Sequence, residues 1–445
     1  MRQGLIAVAL AGLVWACACA LLGPAADAAT VSARAGGAAD TRGSAYPAAA
    51  TRPLVIAKAS QFARASSAAA HGSTKSGSRK RRKPKPVLIG NPARALVAFE
   101  AMQNAYYIRG SGLYEGEPFS FLWPFSQALA ATVTLANVNG IAKVPGLSAE
   151  LSRELQARLI GLGNYLDVDN SGAPEGSFTS QLSAFDATVA PPAGPGGTKF
   201  YDDNEWVGIE LVRTYKLTHD SAALGSAEAI MAFVMAGWDS SPELACPGGV
   251  PFSNSLENSE RNTVTNAPGA ELALELYGLT GQQQYLQFAE TAYEWVRACL
   301  LQSNGLYADH LNAQGKVADT FWSYNQGSMI GAGVLLYQAT DNAGYLYQAR
   351  QTAKAALGYY TLERLNSENP FFVSVYFRNM LYLDSVTHDP PGPALAQGYV
   401  NYAWQHLRLN NDLFVHGSPP LSELLDQAAI VQIYALLSSP PSTYF

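Results

Sequence analysis

Three stretches of this chain repeat one helical pattern. Residues 208–218, 270–280 and 331–340 align on Tyr215, Tyr277 and Tyr337, which stand 62 and then 60 residues apart. Within each stretch the apolar residues recur at three- and four-residue steps, the period of a helix with one buried face. A second helical pattern follows each, opening near Ala222, Tyr285-Leu286 and Tyr345-Leu346. The unit is therefore a helical hairpin of about sixty residues, too small to bury its own apolar face and stable only against its neighbours.

From residue 87 to the end the chain holds about six such periods, with no Pro/Gly/Ser linker dividing them. Helix starts are expected near Pro92, Pro118, Ser148, Asp202, Ser221, Thr263, Gln282, Thr320, Ala343, Asn369, Pro393 and Pro419. Six hairpins of this kind predict an all-α fold, an (α/α)6 barrel or six-hairpin toroid over 87–445. An open solenoid is the other arrangement of such units. Closure is favoured because the repeat degenerates heavily and the loops 172–200 and 239–262 are long and aromatic, which suits one shared cavity rather than a repeated face.

The first 86 residues differ in kind. Arg2, the apolar run 5–22 and Ala26-Asp27-Ala28 have the layout of a signal peptide with its cleavage site, so 1–29 is expected to be removed on export. Residues 30–86 are rich in Ala, Ser, Gly, Arg and Lys without sustained apolar period, the composition of a disordered linker. Its basic run, 75–86, either contacts an anionic cell envelope or serves as a solvated spacer. Residues 1–86 carry 13 Lys/Arg against 2 Asp/Glu, leaving 16 against 33 for the rest, a net charge of −17. That balance excludes nucleic acid as a partner of the folded part, since phosphate contacts need clustered cations. Cys246 and Cys299, the cysteines outside the leader, either pair in an oxidising compartment or stay as buried thiols. Scattered histidines offer no metal set, so neither metal nor cofactor is expected.

The strongest chemical signal is Tyr201-Asp202-Asp203-Asn204-Glu205-Trp206, where a Gly/Pro-rich loop enters an amphipathic helix. Acidic residues at a helix start cap free amides and complement the dipole, which alone would explain them. Two carboxyls side by side also suit glycoside hydrolysis, which needs one acid to protonate the leaving oxygen and another to attack carbon or activate water. Crowding like charges raises one pKa and so separates the two roles. Tyr201, Trp206, Trp322 and Tyr324 can stack on sugar rings, and Asn266, Asp309, Asn325 and Gln326 can bond hydroxyls.

The elements Tyr201-Asp202-Asp203-Asn204-Glu205-Trp206, Cys246-Pro247-Gly248-Gly249, Thr265-Asn266-Ala267 and Ser323-Tyr324-Asn325-Gln326-Gly327 resemble, in order and approximate spacing, glycoside hydrolase family 76 over about residues 95–438. The resemblance implies an (α/α)6 barrel and endo-acting, retaining hydrolysis of α-1,6-linked mannan. It casts Asp202 as nucleophile and Asp203 as general acid/base, with Asp309, Tyr324, Asn325 and Gln326 shaping a sugar subsite. One departure is Pro251-Phe252-Ser253, where the family usually carries two tryptophans. The expected protein is a secreted or envelope-associated monomer acting on α-mannan or a related polysaccharide. The alternatives are a cell-wall transglycosylase on the same fold and a non-catalytic glycan-binding envelope protein.

Overall fold

A computed structural model describes residues 88–168, 182–255, 260–388, 392–417 and 421–445. The chain divides into units 1–44 and 45–445, and every described residue lies in the second. The expected signal peptide and linker, part of the 172–200 loop and the Pro419 helix start fall outside the described residues.

Six inner helices form a closed ring: α2 (Leu122–Ala136), α4 (Tyr201–Thr218), α6 (Thr263–Thr280), α8 (Ser323–Thr340), α11 (Pro370–Thr387) and α13 (Leu424–Leu436). Each packs on its two neighbours, and α13 closes back onto α2. Outside them lie α1 (Asn91–Tyr106), α3 (Leu147–Leu162), α5 (Ser221–Ala236), α7 (Gln283–Leu300), α9 (Ala343–Tyr359) and α12 (Gly392–Tyr402), with the short α10 (Leu362–Ser367) preceding α11. Outer α1 packs chiefly on α13, so the two ends of the domain complete the sixth hairpin. This is the (α/α)6 toroid that the sequence predicts, and it has closed rather than opened into a solenoid. Most proposed helix starts fall within two residues of the observed ones; those near Thr320 and Pro118 lie three and four residues early.

Inner and outer helices differ in burial. Every residue of α6 from Thr263 to Leu276 is buried, and so is every residue of α8 from Ser323 to Leu336. A helix buried all round carries little amphipathic period. Close approach requires small residues: a Cβ at Gly327 would stand 2.7 Å from the Cα of Tyr376 on α11. By contrast α7 buries Tyr285, Phe288, Ala289, Ala292, Tyr293 and Val296, one stripe of a surface helix.

The repeat seen in the sequence is the shared ending of inner helices. Thr218, Thr280 and Thr340 each donate a hydroxyl hydrogen bond to the carbonyl four residues back. The next residues, His219, Gly281 and Asp341, are left-handed and return their N–H to the carbonyls of Tyr215, Tyr277 and Tyr337.

The other ends of these helices share a second device. The fourth residue of α4, α6, α8 and α13 is an amide that grips both the N–H and the C=O of one loop residue: Asn204 on Phe185, Asn266 on Val250, Gln326 on Tyr307 and Gln427 on Phe414. Each clamp satisfies loop peptide groups that would otherwise be buried without partners. The loops also form two-stranded ribbons, β1 (Leu166–Asp167) with β2 (Ala184–Phe185), and β3 (Arg261–Asn262) with β4 (His310–Leu311). Cys246 and Cys299 are disulfide-bonded, tying the 239–255 segment to α7. No described helix is long and apolar enough to cross a membrane.

Candidate active site

Aromatic contacts gather the starts of four inner helices at one end of the ring. Trp123 on α2 meets Phe371 on α11 edge-on at 5.1 Å, Trp206 on α4 meets Phe371 at 5.7 Å, and Tyr324 on α8 stacks on Phe372 at 4.2 Å and 8°. Asp202 and Asp203 belong to the first turn of α4 at this end. Two loops fix that turn. Buried Lys199 lies 2.7 Å from Asp167 and 3.0 Å from Asp186, and Phe252 accepts the N–H of Tyr201 at 3.2 Å. Phe252 also packs on Phe200, so the segment that departs from the family pattern lies directly beside the acidic pair.

Neither acid is the N-cap of α4: that position is Phe200, whose side chain makes no capping bond, while the first-turn amides still act on Asp202. Asp202 is half-buried, with Oδ1 enclosed and taking no hydrogen bond from the described residues. Burial pushes its carboxyl up to about 7, opposed by the amides of Asp203 and Asp202 and reinforced by the charge of Asp309. Asp203 is more deeply buried and is raised well above the ordinary range, first by desolvation and then by the charge of Asp202. Amides at the helix start therefore favour an ionised Asp202, while Asp203 has only opposing influences. Burial thus disfavours charge on both acids, and the helix amides offset it at Asp202.

Beneath the pair the lumen is filled. Glu205, one turn below Asp202, is fully buried with neither carboxylate oxygen hydrogen-bonded among the described residues. Desolvation, then Asp202 and Glu271, raise its pKa well above normal. Deeper still, Glu210 accepts two hydrogen bonds from Arg213 and one from Arg378, which also donates to Gln432 at 3.1 Å. Polar and charged side chains thus lie beneath the acidic pair at this end of the ring.

The ten site residues expected from the sequence fall into two groups. Asp309 sits with the pair: its charge acts on Asp202, its Oδ1 accepts from Asn325 at 3.1 Å and its Oδ2 meets His310 at 3.0 Å. Tyr324 is buried, with desolvation and then Asp309 and Asp202 raising its pKa. Half-buried Trp322 packs against Phe372. Four residues are placed otherwise. Asn266 and Gln326 spend their amides on the main-chain clamps, so the expected bonds to sugar hydroxyls give way to a structural role. Tyr201 stacks on Phe233 at 4.6 Å and Trp206 packs on Phe371, both in the core rather than open to a sugar.

Several residues escaped the sequence reading. Phe372 stacks on Tyr324, and Glu368 accepts from the N–H of Ser323 at 3.2 Å, its carboxyl pushed by burial to about 7. Neither carries a local motif. Among the described residues no group of three or more His, Cys, Asp or Glu side chains is arranged to hold a metal ion.

Residues 182–380 match the family described as glycosyl hydrolase family 76. The chain is similar to mannan endo-1,6-alpha-mannosidase DCW1 of Saccharomyces cerevisiae, 31% identical over 196 residues, which is 41% of this chain and 40% of the yeast protein. The chain thus spans less than half the length of that relative. Among solved structures it is similar to the family 76 mannosidase Bt3792 of Bacteroides thetaiotaomicron, with a TM-score of 0.68 and 20% identity over 78% of this chain and 98% of that one. It is also similar to an inactive variant of the α-1,6-mannanase GH76A of Salegentibacter sp. HEL1_6, with two adjacent aspartates replaced by alanine, in complex with α-1,6-mannotetrose. That match has a TM-score of 0.60 and 20% identity over 78% of this chain and 99% of that one.

Proposed function

We propose that the chain, whose residues 182–380 match glycosyl hydrolase family 76, cleaves α-1,6-mannosidic linkages in a mannan-type polysaccharide, with retention of configuration. The observation that carries this reading is the adjacency of Asp202 and Asp203 in the first turn of α4, beside Asp309, where burial raises both carboxyls and helix amides favour the ionised form of Asp202 alone. Two neighbouring acids of unequal proton affinity are what double displacement requires.

In the first step a carboxylate oxygen of Asp202 forms a bond to the anomeric carbon. The glycosidic bond breaks as Asp203 delivers its proton to the departing oxygen. In the second step Asp203, now ionised, takes a proton from water, whose oxygen attacks the same carbon and releases Asp202. Asp309, Tyr324, Asn325 and Trp322 surround the reacting sugar, with Phe252 and Phe200 offering an apolar wall beside it. Two observations support the reading: the catalytic activity in the yeast relative's name, and loss of activity in the Salegentibacter protein on replacing two adjacent aspartates.

An acceptor sugar in place of water would make the same intermediate a transglycosylation donor. The leader and basic linker expected from the sequence would place the enzyme outside the cell or against its envelope, as a monomer. The test is turnover of an α-1,6-mannan, with and without an added acceptor sugar. Asp202→Asn and Asp203→Asn should fold and lose most of the activity; wild-type rates in both would end the proposal. Tight mannan binding by the wild type with no turnover would favour a non-catalytic glycan-binding protein instead.

A further inference from the structure

His310 opens β4 immediately after Asp309, and pairing of that strand with β3 across Asn262 fixes its position. The imidazole lies between two carboxyls. Its Nδ1 is 3.0 Å from Asp309 Oδ2, and its Nε2 is 3.8 Å from Glu260 Oε1. The ring remains one-quarter exposed, so it exchanges protons with solvent. Asp309 has its second oxygen taken by Asn325, which leaves its carboxylate gripped at both oxygens. Asp309 in turn is the acidic neighbour whose charge acts on Asp202.

Resting on the reading of Asp202 as nucleophile, we propose that His310 is a positioning residue of this site: it fixes the plane of the Asp309 carboxylate and, as imidazolium, neutralises that charge beside Asp202. The groups that face it are Asp309, directly before its own strand, and Glu260, directly before β3. The hydrogen bond to Asp309 comes first in raising its pKa, and the charges of Glu260 and Asp309 add to it against partial burial. The consequence for Asp202 has a definite sign. A protonated His310 offsets Asp309 and eases ionisation of Asp202; a neutral side chain at 310 leaves Asp309 unopposed and makes that ionisation harder.

Two measurements test this. In the substrate-free protein, imidazole nitrogen NMR should show His310 titrating above the ordinary histidine value of about 6.5, and Asp309→Asn should bring it down. In kcat/KM profiles on α-1,6-mannan, His310→Asn keeps a donor near the Nδ1 position but loses the charge. It should move the acid limb upward by on the order of 0.5 pH unit. His310→Ala should show the same displacement and also raise KM, because the carboxylate is no longer held. An acid limb of His310→Asn that superimposes on the wild type overturns the proposal, and so does a His310 titration that ignores Asp309→Asn. Should the wild type fail to turn over mannan, the functional reading fails with it, while the NMR titration still decides whether His310 and Asp309 are coupled.

Discussion

Gln326 grips Tyr307 by both faces of its backbone: the main-chain N–H donates to Oε1 at 2.8 Å and the carbonyl accepts from Nε2 at 2.9 Å. Tyr307 is two residues before Asp309, so this clamp on α8 sets the height of a site carboxylate. Gln326→Leu leaves both buried groups unpaired, at about 1–3 kcal/mol each. Urea denaturation should show a loss in that range or somewhat above it, together with a lower kcat/KM. Asn266→Leu should do the same through Val250.

The acidic pair should destabilise the fold at neutral pH. Both carboxyls are raised in the folded protein, so the native state binds more protons than the unfolded chain between the ordinary carboxylate pKa, about 4, and the raised values. Stability therefore falls as pH rises through that window, which for Asp202 extends to about 7. Asp203→Asn and Asp202→Asn, neutral at every pH, are expected to melt higher than the wild type at pH 8. The difference should shrink at pH 5, as calorimetry at the two pH values will show.

Lys199 is fully buried between Asp167 and Asp186, which are nearly as buried. Removing one partner of such a cluster leaves charge without compensation and costs about 3–5 kcal/mol. Lys199→Met should therefore destabilise the domain by that amount in denaturant titrations. Because Lys199 directly precedes the turn carrying Asp202 and Asp203, its kcat should fall more than its KM changes.

The disulfide closes a separation of 53 residues, for which the chain-entropy account gives about 4 kcal/mol. Arg261 independently holds the same loop by donating to the carbonyls of Ala245, Cys246 and Gly248. The double variant Cys246→Ser, Cys299→Ser should accordingly lose about 2–4 kcal/mol in urea yet keep most of its activity.

Much of the fold was legible because the inner helices end alike: Thr218, Thr280 and Thr340 with their left-handed successors are local devices, and local devices leave a trace in sequence. Pairing of α1 with α13 is a long-range consequence of closure and leaves none. The place of the acidic pair at the start of α4 was legible, since a Gly/Pro-rich loop runs into an amphipathic helix there. The main-chain bonds of Asn266 and Gln326 leave no trace in sequence for a physical reason. An amide offers the same donor and acceptor to a peptide group as to a sugar hydroxyl, and only geometry tells which it meets. Buried acids such as Glu205 stayed invisible because sequence records a charge but not its surroundings.

The proposed division of labour makes Asp202 the nucleophile and Asp203 the proton carrier. Its most direct test is intact-mass spectrometry of Asp203→Asn mixed with an α-1,6-linked mannobiosyl fluoride, whose leaving group needs no proton. The expected result is a mass increase of one mannobiosyl unit on the peptide carrying Asp202, absent from Asp202→Asn under the same conditions. Fluoride release by Asp203→Asn with no adduct, or an adduct on any other residue, would contradict it.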